Sequence, residues 1–200
     1  MFELRLYRSL FRWVTRWPAV PAGTEAVGYS RAVTPVMSLW IFASAVEMLV
    51  LHLLVPWPMV RIVLLVLSAW GLVWMLGFLA SLKVYPHLIS ESGMRIRHGA
   101  SVDIAVPWNV IARVAVQRRD LPSSIRTLQP RQTERGTDLQ VGVSGEVNVH
   151  AVLDRQLDVP TPKRVHHVTE LSFLVDDPDT YVARAREQLA REAAKSDQSR

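Results

Sequence analysis

Cysteine is absent from all 200 residues. That excludes disulfides, thiolate metal sites and a cysteine nucleophile, and it leaves the redox compartment open. Lysine is scarce: Lys83, Lys163 and Lys195 are the only three, so arginine supplies nearly all the positive charge behind a formal balance of +5. Common catalytic signatures are missing as well. The chain has no Gly-rich phosphate loop ending in Lys-Ser/Thr, no dinucleotide glycine fingerprint and no His-Glu-x-x-His pair. Gly142-Val143-Ser144-Gly145 lacks the spacing of a nucleophile elbow and sits between two strand-like runs, which argues against a serine hydrolase. His166-His167 falls in a strand-like run, where adjacent side chains point to opposite faces and cannot easily share one metal ion. The expectation is a non-enzymatic protein with no cofactor and no metal.

What the chain does have is long apolar runs. Residues 35–55 form one and residues 59–82 a second, and each exceeds the ~20 residues that a helix needs to cross a bilayer. Between them Val55-Pro56-Trp57-Pro58 reads as a tight turn, with Trp57 suited to the membrane–water interface. The first run starts too late and is too long for a secretory signal. Arg5, Arg8, Arg12, Arg16 and Arg31 precede the hairpin and Lys83, Arg95 and Arg97 follow it, while the turn offers only Arg61. The positive-inside rule then places both termini in the cytoplasm.

The remaining segments divide cleanly. Residues 1–17 read as an amphipathic helix, with Arg5, Arg8, Arg12 and Arg16 on one face and Phe2, Leu6, Leu10, Trp13, Val14 and Trp17 opposite, as for a helix lying in the membrane interface. Two competing readings are a helix docked on the chain's own domain and a mitochondrial transit peptide. Residues 18–33 form a linker and 34–82 the hairpin. Residues 83–194 form a β-rich domain ending in one helix, and 195–200 a tail. Strand-like runs lie at 85–90, 94–98, 102–106, 110–117, 139–143, 147–153 and 167–175. Val147, Val149, Ala151 and Leu153 alternate as one buried face would, which leaves His150 on an exposed side. Residues 118–138, with two prolines and many polar side chains, read as a mobile loop. Asp177 is a natural helix N-cap followed by Pro178 in the first helical position, and Tyr181, Val182, Ala185 and Leu189 form an apolar stripe behind it.

Three sets of residues stand out as candidate contacts. Glu47 falls inside the first apolar run, where an acid costs ~2.5–3.5 kcal/mol and should face protein or water. Folding the hairpin about its turn sets Glu47 level with Ser68, a hydrogen-bond partner, and near Gly71, which would let the helices approach. A bond within the hairpin, a contact with a partner's transmembrane arginine and a proton relay all remain open. Arg5, Arg8, Arg12, Arg16, Trp13 and Trp17 form the membrane-interface set. Arg118, Arg119, Arg126, Arg131 and Arg135 cluster around the long loop with Arg113, and could grip anionic lipid or an acidic protein. That loop lacks aromatic residues for stacking on bases, so nucleic acid is not an expected partner.

Gly93-Met94-Arg95-Ile96-Arg97-His98-Gly99 resembles the second hairpin of bacterial pleckstrin-homology (PH)-like domains. Val106-Pro107-Trp108-Asn109-Val110-Ile111 resembles the Pro-aromatic-x-x-Ile sequence with which those domains begin their next strand. The resemblance covers residues 82–194 and implies a PH-like barrel closed by one C-terminal helix, carried on a transmembrane hairpin in a bacterial inner membrane. Arginine in excess of lysine, with abundant alanine and valine, suits a high-GC bacterium such as an actinobacterium. It implies no active site. The basic phosphoinositide loop of eukaryotic PH domains is not matched, because Glu91-Ser92-Gly93 is short and acidic. The expected role is recruitment or assembly of proteins in an envelope complex. The alternatives are anionic-lipid sensing or handling, and a transporter or enzyme subunit working through Glu47. The expected partners are the bilayer, another membrane or cytoplasmic protein, and a second copy of the chain.

Overall fold

The computed structural model describes residues 2–15, 20–122, 127–161 and 165–198, with the backbone alone for 2–5 and 196–198. Helix α1 spans Phe2–Val14 and the short strand β1 spans Glu25–Val27. Helices α2 (Val33–Leu54) and α3 (Pro58–Val84) follow, both long and apolar enough to cross a membrane. At 1.5 Å per residue, their 22 and 27 residues give about 33 and 40 Å, which meets the ~30 Å of a bilayer's hydrocarbon core. The turn falls where the two prolines set it, with Pro58 at the start of α3, where its missing N–H costs nothing. No side chain of α2 is fully buried: a stripe at Met37, Ile41, Ser44, Ala45, Met48 and Leu51 is half-buried, and most of the rest of its apolar surface is exposed.

The β domain begins two residues after α3. Its strands are β2 (His87–Ile89), β3 (Gly93–His98), β4 (Val102–Pro107), β5 (Ile111–Asp120), β6 (Leu128–Thr133), β7 (Gly136–Val141), β8 (Glu146–Pro160) and β9 (Val165–Phe173); helix α4 (Pro178–Gln198) ends the described chain. Strands β1-β2-β3-β4 form one antiparallel sheet. The second sheet runs β5-β8-β9-β7-β6, with β7 and β9 its one parallel pair. Met94, Ile96, Trp108, Val149, Leu171, Phe173 and the α4 residues Tyr181, Val182 and Ala185 fill a shared core. The apolar stripe of α4 thus packs as its spacing predicts, and the Thr180 amide donates to Asp177 Oδ1 at 3.2 Å, which makes Asp177 the N-cap.

The expected barrel is not closed. Pro107 ends β4, and a 3-10 turn at Trp108–Val110 carries the chain across to the other sheet. There β5 pairs with the 15-residue β8 and not with β4. Trp108 anchors the crossing, buried with its indole N–H donating to the Ser90 carbonyl at 2.8 Å.

Three other expectations change. Residues 118–138 are not one loop: β5 runs on to Asp120, and β6 and β7 form a tight hairpin, with Thr133 opposite Gly136. β6 is an edge strand, so it needs no apolar alternation and tolerates Pro130, whose missing N–H would break a central strand. The linker 18–33 holds β1, which extends the first sheet. Helix α1 is docked on the hairpin: Leu6 and Ser9 are buried, Gly77 of α3 leaves room where a Cβ would lie 3.3 Å from the Leu6 carbonyl, and Trp70 Nε1 donates to Tyr7 Oη at 3.1 Å. The expected apolar face is therefore split, with Leu6 against α3 and Trp13 and Val14 exposed beside Tyr7 and Phe11.

Candidate functional site

Two places gather polar groups in a built arrangement. The first is the root of the hairpin, where α2 leaves the domain and α3 returns to it. The incoming chain is tied down by Asp176, which follows β9. The Asp176 amide donates to the Gly28 carbonyl at 2.8 Å, and the Arg31 amide donates to Asp176 Oδ1 at 2.8 Å. A Cβ at Gly28 would displace the Asp176 carboxylate from its place against the Arg31 amide. Tyr29 is fully buried, its hydroxyl accepting from the Gly99 amide at 2.7 Å. Burial pushes the Tyr29 phenol well above its ordinary value, so it stays neutral. Its ring lies 4.5 Å from that of His87.

His87 is the hub of this junction. Nε2–H donates to the Leu174 carbonyl at 2.9 Å, and Nδ1 accepts from the Arg97 amide at 2.9 Å. The two bonds define a neutral tautomer, because protonating Nδ1 would set one N–H against another. Burial accordingly pushes the imidazole down to about 4. Leu82 and Leu174 pack with Tyr29 in a small cluster of their own, with Phe78 and Val33 against it. Beside these ties lies an open cavity of about 550 Å³, lined by Gly28, Ser30, Arg31, Thr34, Pro35, Leu82, Lys83, Pro86 and Asp176.

The second place is the face of the larger sheet turned away from the core. Asp138, Gln140, His150, Glu170 and Ser172 are all buried on it. Ser172 Oγ donates to the Asp138 carboxylate, 2.9 and 3.0 Å from its two oxygens; Gln140 Nε2 donates to it at 3.2 Å, and Arg119 Nη1 lies 3.5 Å away. His150 Nδ1 sits 3.0 Å from Ser172 Oγ. A serine, a histidine and an aspartate are thus neighbours, but in the wrong order for hydrolysis. The serine hydroxyl is spent on the aspartate, so His150 is left to donate to it and cannot act as its base. Burial lowers the His150 imidazole below its ordinary value. The expected exposed position of His150 does not hold, because the polar side chains of this face cover one another.

The candidate residues from the sequence fall apart spatially. Glu47 is exposed on α2 and makes no hydrogen bond or ion pair with Ser68 or any other described residue. Gly71 faces open space, with nothing within 4 Å of the point a Cβ would occupy, so it is not a point of close helix approach. Arg118 and Arg119 sit on β5, while Arg131 on β6 and Arg135 in the turn after it belong to the opposite edge in sheet order. Of these only Arg119 is drawn into the Asp138 network, helped by a bulge in β5 between Val116 and Arg119. Arg12 is half-buried on α1, Arg8 lines a small cavity with Arg97 and Asp103, and Trp13 is exposed. Arg16, Trp17 and Arg126 lie outside the described residues, and only the backbone of Arg5 is described. His167 is exposed and pairs with Asp158 at 2.6 Å; no cluster of metal-ligating side chains occurs among the described residues.

Sequence reasoning passed over Tyr29, His87 and Asp176. The available signals were a lone aromatic in a Gly/Pro linker, a histidine inside an apolar strand, and a second aspartate beside the capping Asp177. In comparisons with known proteins, no family model, no curated protein and no solved structure matches this chain.

Proposed function

We propose that this is an integral membrane protein whose α2–α3 hairpin crosses the bilayer and whose β domain, held at the cytoplasmic face of a bacterial inner membrane, recruits or stabilises other proteins of an envelope assembly. The observation that carries the reading is the root of the hairpin. Helix α3 runs into the domain with only Tyr85 and Pro86 before β2; its Leu79, Ala80, Leu82 and Val84 are buried, Leu82 in a cluster with Tyr29, Val143 and Leu174. The other strand of the hairpin is fixed by the Gly28, Tyr29 and Arg31 bonds. A domain mounted so firmly keeps a defined face toward the membrane and the opposite face toward the cytosol, as a platform requires. Its two sheets and single C-terminal helix support a PH-like reading of the domain.

The absence of cysteine makes the topology simple to test. Full-length chains carrying Trp57→Cys or Glu192→Cys are expressed in bacteria and exposed to a membrane-impermeant maleimide. Trp57→Cys should label on intact spheroplasts and Glu192→Cys only after permeabilisation. Labelling of Glu192→Cys in intact spheroplasts would overturn the cytoplasmic platform.

A further inference from the structure

The cavity at the root of the hairpin carries two cations that enter no ion pair among the described residues. Arg31 and Lys83 are both exposed on its wall, one just before α2 and the other in the last turn of α3. Neither forms an ion pair with any described residue. The acid in the lining, Asp176, has one oxygen committed to the Arg31 amide. The lining therefore carries a net charge of +1. The first turn of α2 contributes Thr34 and Pro35 to the same wall, and α2 has neither an acidic residue in that turn nor a side-chain cap. Its N-terminal partial charge adds to the two full charges. Leu82, Pro35 and Pro86 give the cavity an apolar side. A volume of about 550 Å³ is in the range of small-ligand sites.

We infer that this cavity binds a phosphate-bearing group, held between Arg31 and Lys83. The chemistry fits the headgroup of an anionic phospholipid or a soluble phosphate. The position favours the lipid, since both helices of the hairpin end at this level, and the inference to that extent rests on the membrane reading above. Arginine would grip two phosphate oxygens in its planar fork and Lys83 would add a mobile point charge. The apolar side would receive the first carbons below the headgroup.

The experiment uses the full chain purified in a neutral detergent. Retention of phosphatidylglycerol and of phosphatidylcholine is read by native mass spectrometry, and inorganic phosphate is titrated separately and followed by thermal shift. Carbonate extraction of the wild-type chain from membranes checks insertion in parallel, so that failure of the hairpin is seen separately from failure of the site. The expected result is preferential retention of phosphatidylglycerol, reduced roughly thirtyfold in Arg31→Gln/Lys83→Gln, since two basic contacts near a lipid surface are removed. Both residues are exposed, so the double variant should fold; an unchanged melting temperature without ligand verifies this. Variant-sensitive binding of inorganic phosphate without phosphatidylglycerol preference would keep the phosphate site and remove the lipid as its source. Equal retention of both lipids, unaffected by the double substitution, together with no response to phosphate, would overturn the inference.

Discussion

Beside its apolar core, this molecule places several polar side chains where water cannot reach them. His87 shows what this costs. Its folded value of about 4 lies below the ordinary 6.5, so the unfolded chain binds a proton that the folded one refuses. Folding stability from this residue is therefore intact above about pH 6.5, falls as pH drops, and levels off below about 4, a total of about 3 kcal/mol. Denaturant titrations of the detergent-solubilised chain at pH 7.5 and pH 5 should show the loss, and His87→Gln should flatten this part of the profile while lowering stability at both. Asp138 makes the complementary case. Replacing it by Leu leaves Ser172 and Gln140 without their shared acceptor on a buried face and removes the charge beside Arg119, which keeps Gln117 as an acceptor, so a loss of about 3 kcal/mol is expected. Asp138→Asn keeps one acceptor oxygen and should cost less than Asp138→Leu. Equal losses from the two would mean that the carboxylate's second oxygen and charge contribute most of the interaction.

At the scale of elements, helix α1 has a three-sided division of labour. Leu6 packs on Gly77 of α3 and Ser9 is buried, Arg8 faces the domain, and Phe11 and Val14 are left outside below Tyr7, which is part-exposed but bonded to Trp70 of α3. Docking depends on the small surface at Gly77. Gly77→Val should lift α1 from α3, seen as faster hydrogen exchange of the α1 backbone amides while those of β8 and β9 stay protected; unchanged exchange would mean that the Tyr7–Trp70 bond and the remaining contacts of α1 are sufficient. How much of this is readable from sequence differs by element. The hairpin and α4 are legible because length, proline position, cap and stripe all agree there. All seven expected strands occur, since each has alternation or turn residues at its ends. β6 escapes because an edge strand paired on one side needs neither. The docking of α1 escapes because helical periodicity separates basic from apolar residues but does not say which apolar residue meets a neighbouring helix. The root of the hairpin escapes for a similar reason: Tyr29, His87 and Asp176 are far apart in sequence, and they meet only because β1 pairs with β2 and the chain leaving β9 bonds to His87 and to Gly28.

For the whole molecule, the largest unmatched feature is the outer surface of the hairpin. Helix α2 buries none of its residues, and Glu47 stands on that surface with no partner among the described residues of its own chain. Under the proposed membrane orientation, a lone acid facing lipid costs ~2.5–3.5 kcal/mol on insertion scales. A neighbouring helix offering an arginine, a hydroxyl or a second Glu47 would recover part of it. The association reading of Glu47 thus gains ground over the bond with Ser68. Glu47→Leu should insert at least as well as the wild type, because it removes the exposed acid, and should lose association with whatever helix Glu47 meets. Glu47→Gln keeps a donor and an acceptor of nearly the same shape and should retain much of it. Subunit counting by single-molecule photobleaching in native-membrane nanodiscs separates the occupants. A fall from dimers to monomers in Glu47→Leu identifies a second copy of the chain. Monomers throughout, with a co-purifying protein that disappears only in Glu47→Leu, identify a different membrane protein. If the Leu variant keeps both its subunit count and its co-purifying proteins, Glu47 does not serve association, and a role in moving protons becomes the reading to test through Glu47→Gln.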